Sequence, residues 1–249
     1  MHEVDLEQVR LIIQQKTGLW LKDIDLAILK LKSTIGEKQT NKILQECIAT
    51  HNIHDDLLDA CVVSETWFFR DFNVVYNAFY TYKATHNESN IKVACIGCAY
   101  GQEVYSTAMF LDNLGLQYEV IGIDINPKAI QFAKNGVYHI EEMYDIPGEY
   151  YHCFSVDYDH DIITISDNIK QHVRFYQGNV LDHQFMSHFF DQCNMILFRN
   201  TLMYMLPIKA FDTIEIVEKL RKHVDSPIIL SPIEVLSLHD KLVSGTFAY

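Results

Sequence analysis

The sequence predicts an α/β fold: a parallel sheet with helices on both faces, a small helical unit in front of it, and an antiparallel β insertion within it. Three observations predict this. Val93 to Ser106, followed about twenty residues later by Ile121-Gly-Ile-Asp-Ile-Asn-Pro127, reads as strand, glycine turn, helix and a second strand ending in an acid. Strand and helix patterns alternate across this region, as a parallel sheet requires. The alternation then breaks at two short runs, Phe154-Ser-Val-Asp-Tyr158 and Ile162-Ile-Thr-Ile165, separated by the polar Asp157 to Asp161. Period-two runs around a polar turn describe a hairpin.

The elements follow in order. Leu6, Val9, Ile12 and Ile13 recur at helical spacing, and Gly18 stops that helix. Leu26 to Leu31 lies in a second helix closed by Gly36, with two more helices over 41–50 and 54–61. Residues 74–89 read as a helix that decays into the polar Thr85 to Asn90. Strands are expected at Ile91–Ile96 and Tyr118–Ile123, with a helix from Glu103 to Leu114 between them. Pro127 suits the first turn of a helix that ends at Gly136. After the hairpin, strands are expected at Val173–Phe175, Asn194–Phe198 and Pro227–Leu230. A helix is expected over 208–223 and a final hairpin arm over 241–249. The domain division is 1–62, helical, and 63–249, α/β, with the β-subdomain at about 145–172.

Composition narrows the function. The 249 residues are 49% hydrophobic and 21% charged, an ordinary globular balance. Net charge is −13, which argues against nucleic acid, whose phosphates need clustered Lys and Arg. No apolar run approaches the ~20 residues of a membrane span. The acidic, amphipathic start is not a secretory signal, so a cytoplasmic chain is expected. Six cysteines show no framework spacing. Cys95 and Cys98 read as small buried strand-end residues, and His51 with His54 as a solvated helix end. No metal is expected.

The glycine turn points to a nucleoside ligand. Gly97 and Gly101 are expected to let the backbone approach it closely. Asp124 can accept two hydrogen bonds from a ribose diol. The phosphate-binding G-x-G-x-x-G spacing is absent, and Glu103 opens the helix instead. An acid there repels phosphate and can hold an ammonium group. That favours S-adenosylmethionine, with S-adenosylhomocysteine as its product. Arg70 can hold a carboxylate through two parallel bonds. Asn179, after one strand, reads equally as a turn residue or a contact to adenine. Arg199 and Tyr204 follow another strand at the same edge.

These stretches resemble the CheR-type chemotaxis receptor methyltransferases. The matching motifs are Glu65-Thr-Trp-Phe-Phe-Arg70, Gly97-Cys-Ala-Tyr-Gly-Gln-Glu-Val-Tyr-Ser106, Ile123-Asp-Ile-Asn126, Ala133-Lys-Asn-Gly-Val-Tyr138, Gly178-Asn-Val-Leu-Asp182 and Phe198-Arg-Asn-Thr-Leu-Met-Tyr204, in the family's order. The resemblance implies a Rossmann-like methyltransferase domain with an N-terminal helical domain and an inserted β-subdomain. It implies that Thr66, Arg70, Gly97, Glu103, Asp124, Asn179, Val180 and Asn200 bind the cofactor. Arg70, Tyr204 and Arg199 would act on the acceptor side. The reaction implied is methyl esterification of glutamates on the cytoplasmic helices of chemoreceptors, by a monomer whose β-subdomain could dock a receptor tail by strand addition.

Departures from the family pattern are Tyr100 for a small residue, Gln102-Glu103-Val104 for an acidic pair before proline, Phe198 for cysteine, and Ser231 to Glu234, which keeps only the terminal acid. The segment Asp25 to Lys32 carries only Lys30 and Lys32 where the family is arginine-rich. A different protein or small carboxylate acceptor, or a non-catalytic module binding the cofactor, are the alternative readings.

Overall fold

The computed structural model describes residues 4–190, 192–206 and 226–236. The helix expected over 208–223 and the arm over 241–249 lie outside them.

The N-terminal unit has four helices. α1 (Leu6–Thr17) starts where the Asp5 carboxylate accepts from the Gln8 amide, and ends at Gly18 with φ of 74°. α2 (Ile24–Ile35) is capped by Asp23 in the same way. α3 (Glu37–Thr50) and α4 (Asp55–Cys61) complete it. Their apolar faces meet in one core containing Val9, Ile13, Leu31, Leu44 and Leu57, all buried.

α5 (Asn73–Thr85) leads into the sheet series: β1 (Asn90–Ile96), α6 (Gln102–Asn113), β2 (Gln117–Asp124) and α7 (Pro127–Asn135). α7 carries Pro127 in its first turn and ends at Gly136, as its sequence predicts. After an insertion come α8 (Asp167–Lys170), β6 (Val173–Gln177), α9 (His183–Phe190), β7 (Met195–Leu197) and β8 (Ile228–Ile229). The strand order is β6-β2-β1-β7-β8, every pairing parallel.

Alternate residues of β1 enter different cores. Val93 and Cys95 pack with α5 and α6, while Ala94 and Ile96 pack with Met186 and Phe190 of α9. A strand's side chains alternate between faces, so this division confirms helices on both.

The insertion is a three-stranded antiparallel sheet ordered β3-β5-β4, with β3 at Val137–His139, β4 at Phe154–Asp157 and β5 at Ile162–Ile165. The sequence predicts β4 and β5 but not β3, which lies ahead of residue 145. Three residues are too few to show a period. β3 exists because Gly136 turns the chain back, and Tyr138 then pairs with Ile163. α9 is also unpredicted: its eight residues, His-Gln-Phe-Met-Ser-His-Phe-Phe, are too short a window for helical recurrence. Among the described residues, no helix is long and apolar enough to cross a membrane.

Candidate active site

The site lies at the carboxyl ends of β1, β2, β6 and β7, where a doubly wound sheet opens its crevice. A cleft of about 700 Å³ is lined there by Gly97, Asp124, Asn179, Val180, Asn200 and Tyr204. Thr17, Leu19 and the Val62–Ser64 link close it from the helical side. A second chamber of about 510 Å³ adjoins it through Gly97, Ala99, Asn200 and Tyr204, and adds Thr66, Trp67, Arg70, Glu103 and Arg199.

β2 ends on Asp124 because its backbone supports the glycine turn. The Gly97 and Cys98 amides both donate to the Ile123 carbonyl. The Ala99 amide donates to Asp124 Oδ2 and the Asn126 amide to Oδ1, each at 2.8 Å. A carboxylate has about four acceptor sites, so acceptor capacity remains for a ligand. Burial pushes the Asp124 carboxyl upward, and the amides of Asn126, Ala99 and Ile125 oppose that by solvating the anion.

The turn glycines are required by the protein's own packing. A Cβ on Gly97 would sit 2.1 Å from Thr201 Oγ1, and Gly97 has φ of 69°. A Cβ on Gly101 would meet the Ala133 side chain at 2.8 Å and the Phe175 ring at 3.0 Å. The loop after β7 and the packing of α6 demand these glycines directly.

Glu103 stands in the first turn of α6, where the helix dipole favours an anion. Its Oε1 accepts from Arg199 Nη1 at 2.6 Å. Burial raises its pKa, and Arg199 pulls the other way. The acceptor-side reading of Arg199 changes here. Arg199 is 4% exposed, and its Nη2 donates to the Arg70 carbonyl at 2.6 Å. Its two terminal nitrogens are committed to the protein, so Arg199 positions Glu103 and the Arg70 backbone from beneath.

Arg70 lines the second chamber, and its Nη1 donates to the Glu65 carbonyl at 3.1 Å. Its Cζ sits 4.0 Å from the Trp67 ring centroid. Its Nε is buried with no hydrogen-bond partner among the described residues. Tyr204 is half-buried. Burial and Glu65 raise its hydroxyl pKa while Arg70 lowers it, so it stays a donor at neutral pH.

Asn179 serves as a turn residue: its Oδ1 accepts from the Leu181 amide at 2.9 Å. Its Nδ2 also reaches the Lys16 carbonyl at 3.1 Å, which ties the end of α1 to the cleft wall. A second tie joins the same two regions. The Trp20 amide donates to the Tyr204 carbonyl at 2.7 Å, the Leu206 amide donates to the Gly18 carbonyl at 2.8 Å, and Leu19 pairs with Met205. Cys95 and Cys98 are buried, with thiol pKa values raised well above normal, as small core residues should be.

Sequence reasoning misses Glu234. This 2% exposed side chain accepts from the amides of Asn200, Thr201, Leu202 and Ser231 and from the Ser231 hydroxyl. It fixes the loop carrying Arg199 and Asn200. Its only sequence signal is an acid retained at the end of a degraded motif. Asn126 is missed similarly: fully buried, it donates to Asp59 Oδ1 at 2.8 Å and joins α4 to α7.

The donor set suits S-adenosylmethionine. Asp124 has acceptor capacity to spare for a ribose, Glu103 offers an anion to an amine, and Arg70 adds a cation to the wall of the adjoining chamber.

Comparison with known proteins agrees with this geometry. Residues 64–230 match the family model described as CheR methyltransferase, SAM binding domain. A chemotaxis protein methyltransferase of Campylobacter jejuni is 25% identical over 207 residues, covering 81% of this chain and 78% of the relative. One from Borreliella burgdorferi is 23% identical, covering 77% of this chain and 71% of the relative. A probable biofilm formation methyltransferase of Pseudomonas aeruginosa is 26% identical over 92% of this chain, which spans 52% of that longer relative.

Proposed function

This chain belongs to the CheR methyltransferase family, and on that premise we propose that it transfers methyl groups from S-adenosylmethionine to glutamate side chains of a chemoreceptor's cytoplasmic helices. The observation that carries the reading is the pairing of two acids with one arginine around a continuous cleft: Asp124 in the nucleoside chamber, Glu103 and Arg70 in the chamber beside it.

Each residue has a role that its surroundings support. Asp124 would accept the ribose hydroxyls. Val180, Asn179 and Asn200 would wall the nucleoside. Glu103 would hold the amino group, kept anionic by Arg199. When bound, the cofactor supplies an electrophilic methyl group on a sulfonium. A glutamate side chain has a pKa near ~4.3 and is already a nucleophile at neutral pH, so no strong general base is needed. Arg70 is permanently charged and would orient the acceptor carboxylate. The Tyr204 hydroxyl would donate to one of its oxygens and leave the other in line. Alignment at a reacting distance of about 3 Å is the main contribution asked of the protein.

A second acceptor class draws support from α2. Lys30 Nζ is held by the Asp59 carbonyl at 2.9 Å, and Lys32 pairs with Glu37 at 3.5 Å. Leu26 and Leu29 face solvent at 66% and 63% exposure. The helix that a receptor would meet is therefore apolar more than basic, and electrostatic steering of an acidic partner would be weak.

Incubation with methyl-labelled S-adenosylmethionine and purified receptor cytoplasmic fragments tests the proposal. Base-labile label on receptor glutamates is expected. Label confined to other proteins would move the acceptor, and no label on any acceptor would overturn the enzyme reading.

A further inference from the structure

Trp67 lies within Glu65-Thr-Trp-Phe-Phe-Arg70, and nothing in the mechanism above uses it. Its neighbour Phe68 is core, 1% exposed and edge-on to Tyr138. Phe69 takes φ of 52° and stacks on Tyr150 with ring centroids 4.7 Å apart. This left-handed residue turns the backbone so that the two phenyl rings go inward while Trp67 and Arg70 meet on the outer side. Trp67 is 39% exposed. An indole left this open contributes little to the core, so its position over Arg70 needs another reason.

We propose that Trp67 is a positioning residue for Arg70, holding the guanidinium flat at the chamber wall where the acceptor carboxylate would meet it. The proposal rests on the methyl transfer inferred above. Arg70 is restrained at two places. Nη1 is spent on the Glu65 carbonyl at 3.1 Å, and the indole covers the guanidinium at 4.0 Å. The buried Nε has no partner among the described residues, while Arg70 lines the acceptor chamber. A guanidinium clamped by one corner and one face keeps its plane fixed at the chamber wall. A fixed, planar cation is what orients a carboxylate. Without the indole, the long side chain regains rotamer freedom and Nη1 alone must hold it.

The interaction is electrostatic as well as steric. An indole is the strongest of the aromatic partners for a cation, and partial burial strengthens the contact. Loss of the face should therefore cost about tenfold in acceptor turnover at fixed cofactor affinity.

The test uses Trp67→Phe, Trp67→Leu and Trp67→Ala in the full chain, and the same changes with Arg70→Lys. Methyl transfer to a receptor fragment is measured beside calorimetric S-adenosylhomocysteine affinity. Trp67→Phe should stay within about threefold of the parent, whereas Trp67→Leu and Trp67→Ala should both lose about tenfold in kcat/KM for the acceptor. Cofactor affinity should move less than twofold in all three. In the Arg70→Lys background the Trp67 effect should shrink, because the flat cation is gone. Equal activity of the Leu and Phe variants would show a mere space-filler and overturn the proposal, as would additive losses with Arg70→Lys. Proton NMR of the Arg70 Nε–H gives a readout that needs no acceptor. The signal should lie upfield under the indole ring current and return on Trp67→Leu; an unshifted signal overturns the stacking. If the parent transfers no methyl group, the acceptor reading fails, and the shift alone reports whether Trp67 holds Arg70.

Discussion

Arg199→Met removes the cation beneath Glu103 and leaves a buried carboxylate alone. The magnitude follows from the geometry. The two side chains are 2% and 15% exposed and 2.6 Å apart, so solvent screens the pair little. Breaking such a pair on one side costs on the order of 3–5 kcal/mol. At about 2–4 °C per kcal/mol for a chain of this size, the melting temperature should fall by roughly 6–20 °C. Protonation gives a second signature. Burial already raises Glu103 above its ordinary 4.5, so between 4.5 and the raised value the folded chain holds the extra proton. Stability from this group is full below 4.5 and falls as pH rises through the folded value. Binding of an ammonium needs the anion, so cofactor affinity should fall on acidification through that same raised pKa. Without Arg199 the pKa rises further, and the loss of affinity should begin at a higher pH. Calorimetric titration of S-adenosylhomocysteine across pH reads this, and scanning calorimetry reads the stability. Glu103→Gln with Arg199→Met should regain most of the stability, since no charge is left buried, but none of the affinity. If Arg199→Met melts with the parent and binds with an unmoved pH profile, the assignment of Arg199 to Glu103 is wrong.

Three further outcomes are expected. Gly97→Ala should destabilise by about 3 kcal/mol or more, since its Cβ would lie 2.1 Å from Thr201 Oγ1 and overpacking adds to the positive-φ cost. Thr201→Ala beside it should restore about half, as denaturant midpoints would show. Glu234→Gln puts donors opposite backbone amides; an unsatisfied buried donor costs about 1–3 kcal/mol, and hydrogen exchange at Asn200 to Leu202 should accelerate. Asp124→Asn should weaken S-adenosylhomocysteine binding by at least tenfold while removing one acceptor from the Ala99 or Asn126 amide; unchanged affinity by calorimetry would remove Asp124 from the nucleoside site.

Local signals made much of this chain readable. Gly18 and Gly136 stop helices in the left-handed conformation. Pro127 opens one, and the alternation in Phe154 to Ile165 yields a true hairpin. Asp124 and Glu103 are legible because strand ends and helix starts are set by nearby residues. Relations across the chain are not legible. No local pattern says that Arg199 turns inward to Glu103, 96 positions away, or that Glu234 gathers the loop after β7. Gly97 was readable as an indispensable glycine, but the side chain that demands it, Thr201, stands on another strand's loop. β3 and α9 escaped for a different reason: each is shorter than the window in which its period can be seen.

The most direct measurement is a crystal structure of the chain with S-adenosylhomocysteine. The ribose is expected on Asp124, the amino group on Glu103 with Arg199 still behind it, and the sulfur facing the chamber of Arg70 and Tyr204. A ligand bound with its amino end elsewhere, or with its sulfur closed off from Arg70, would contradict this placement.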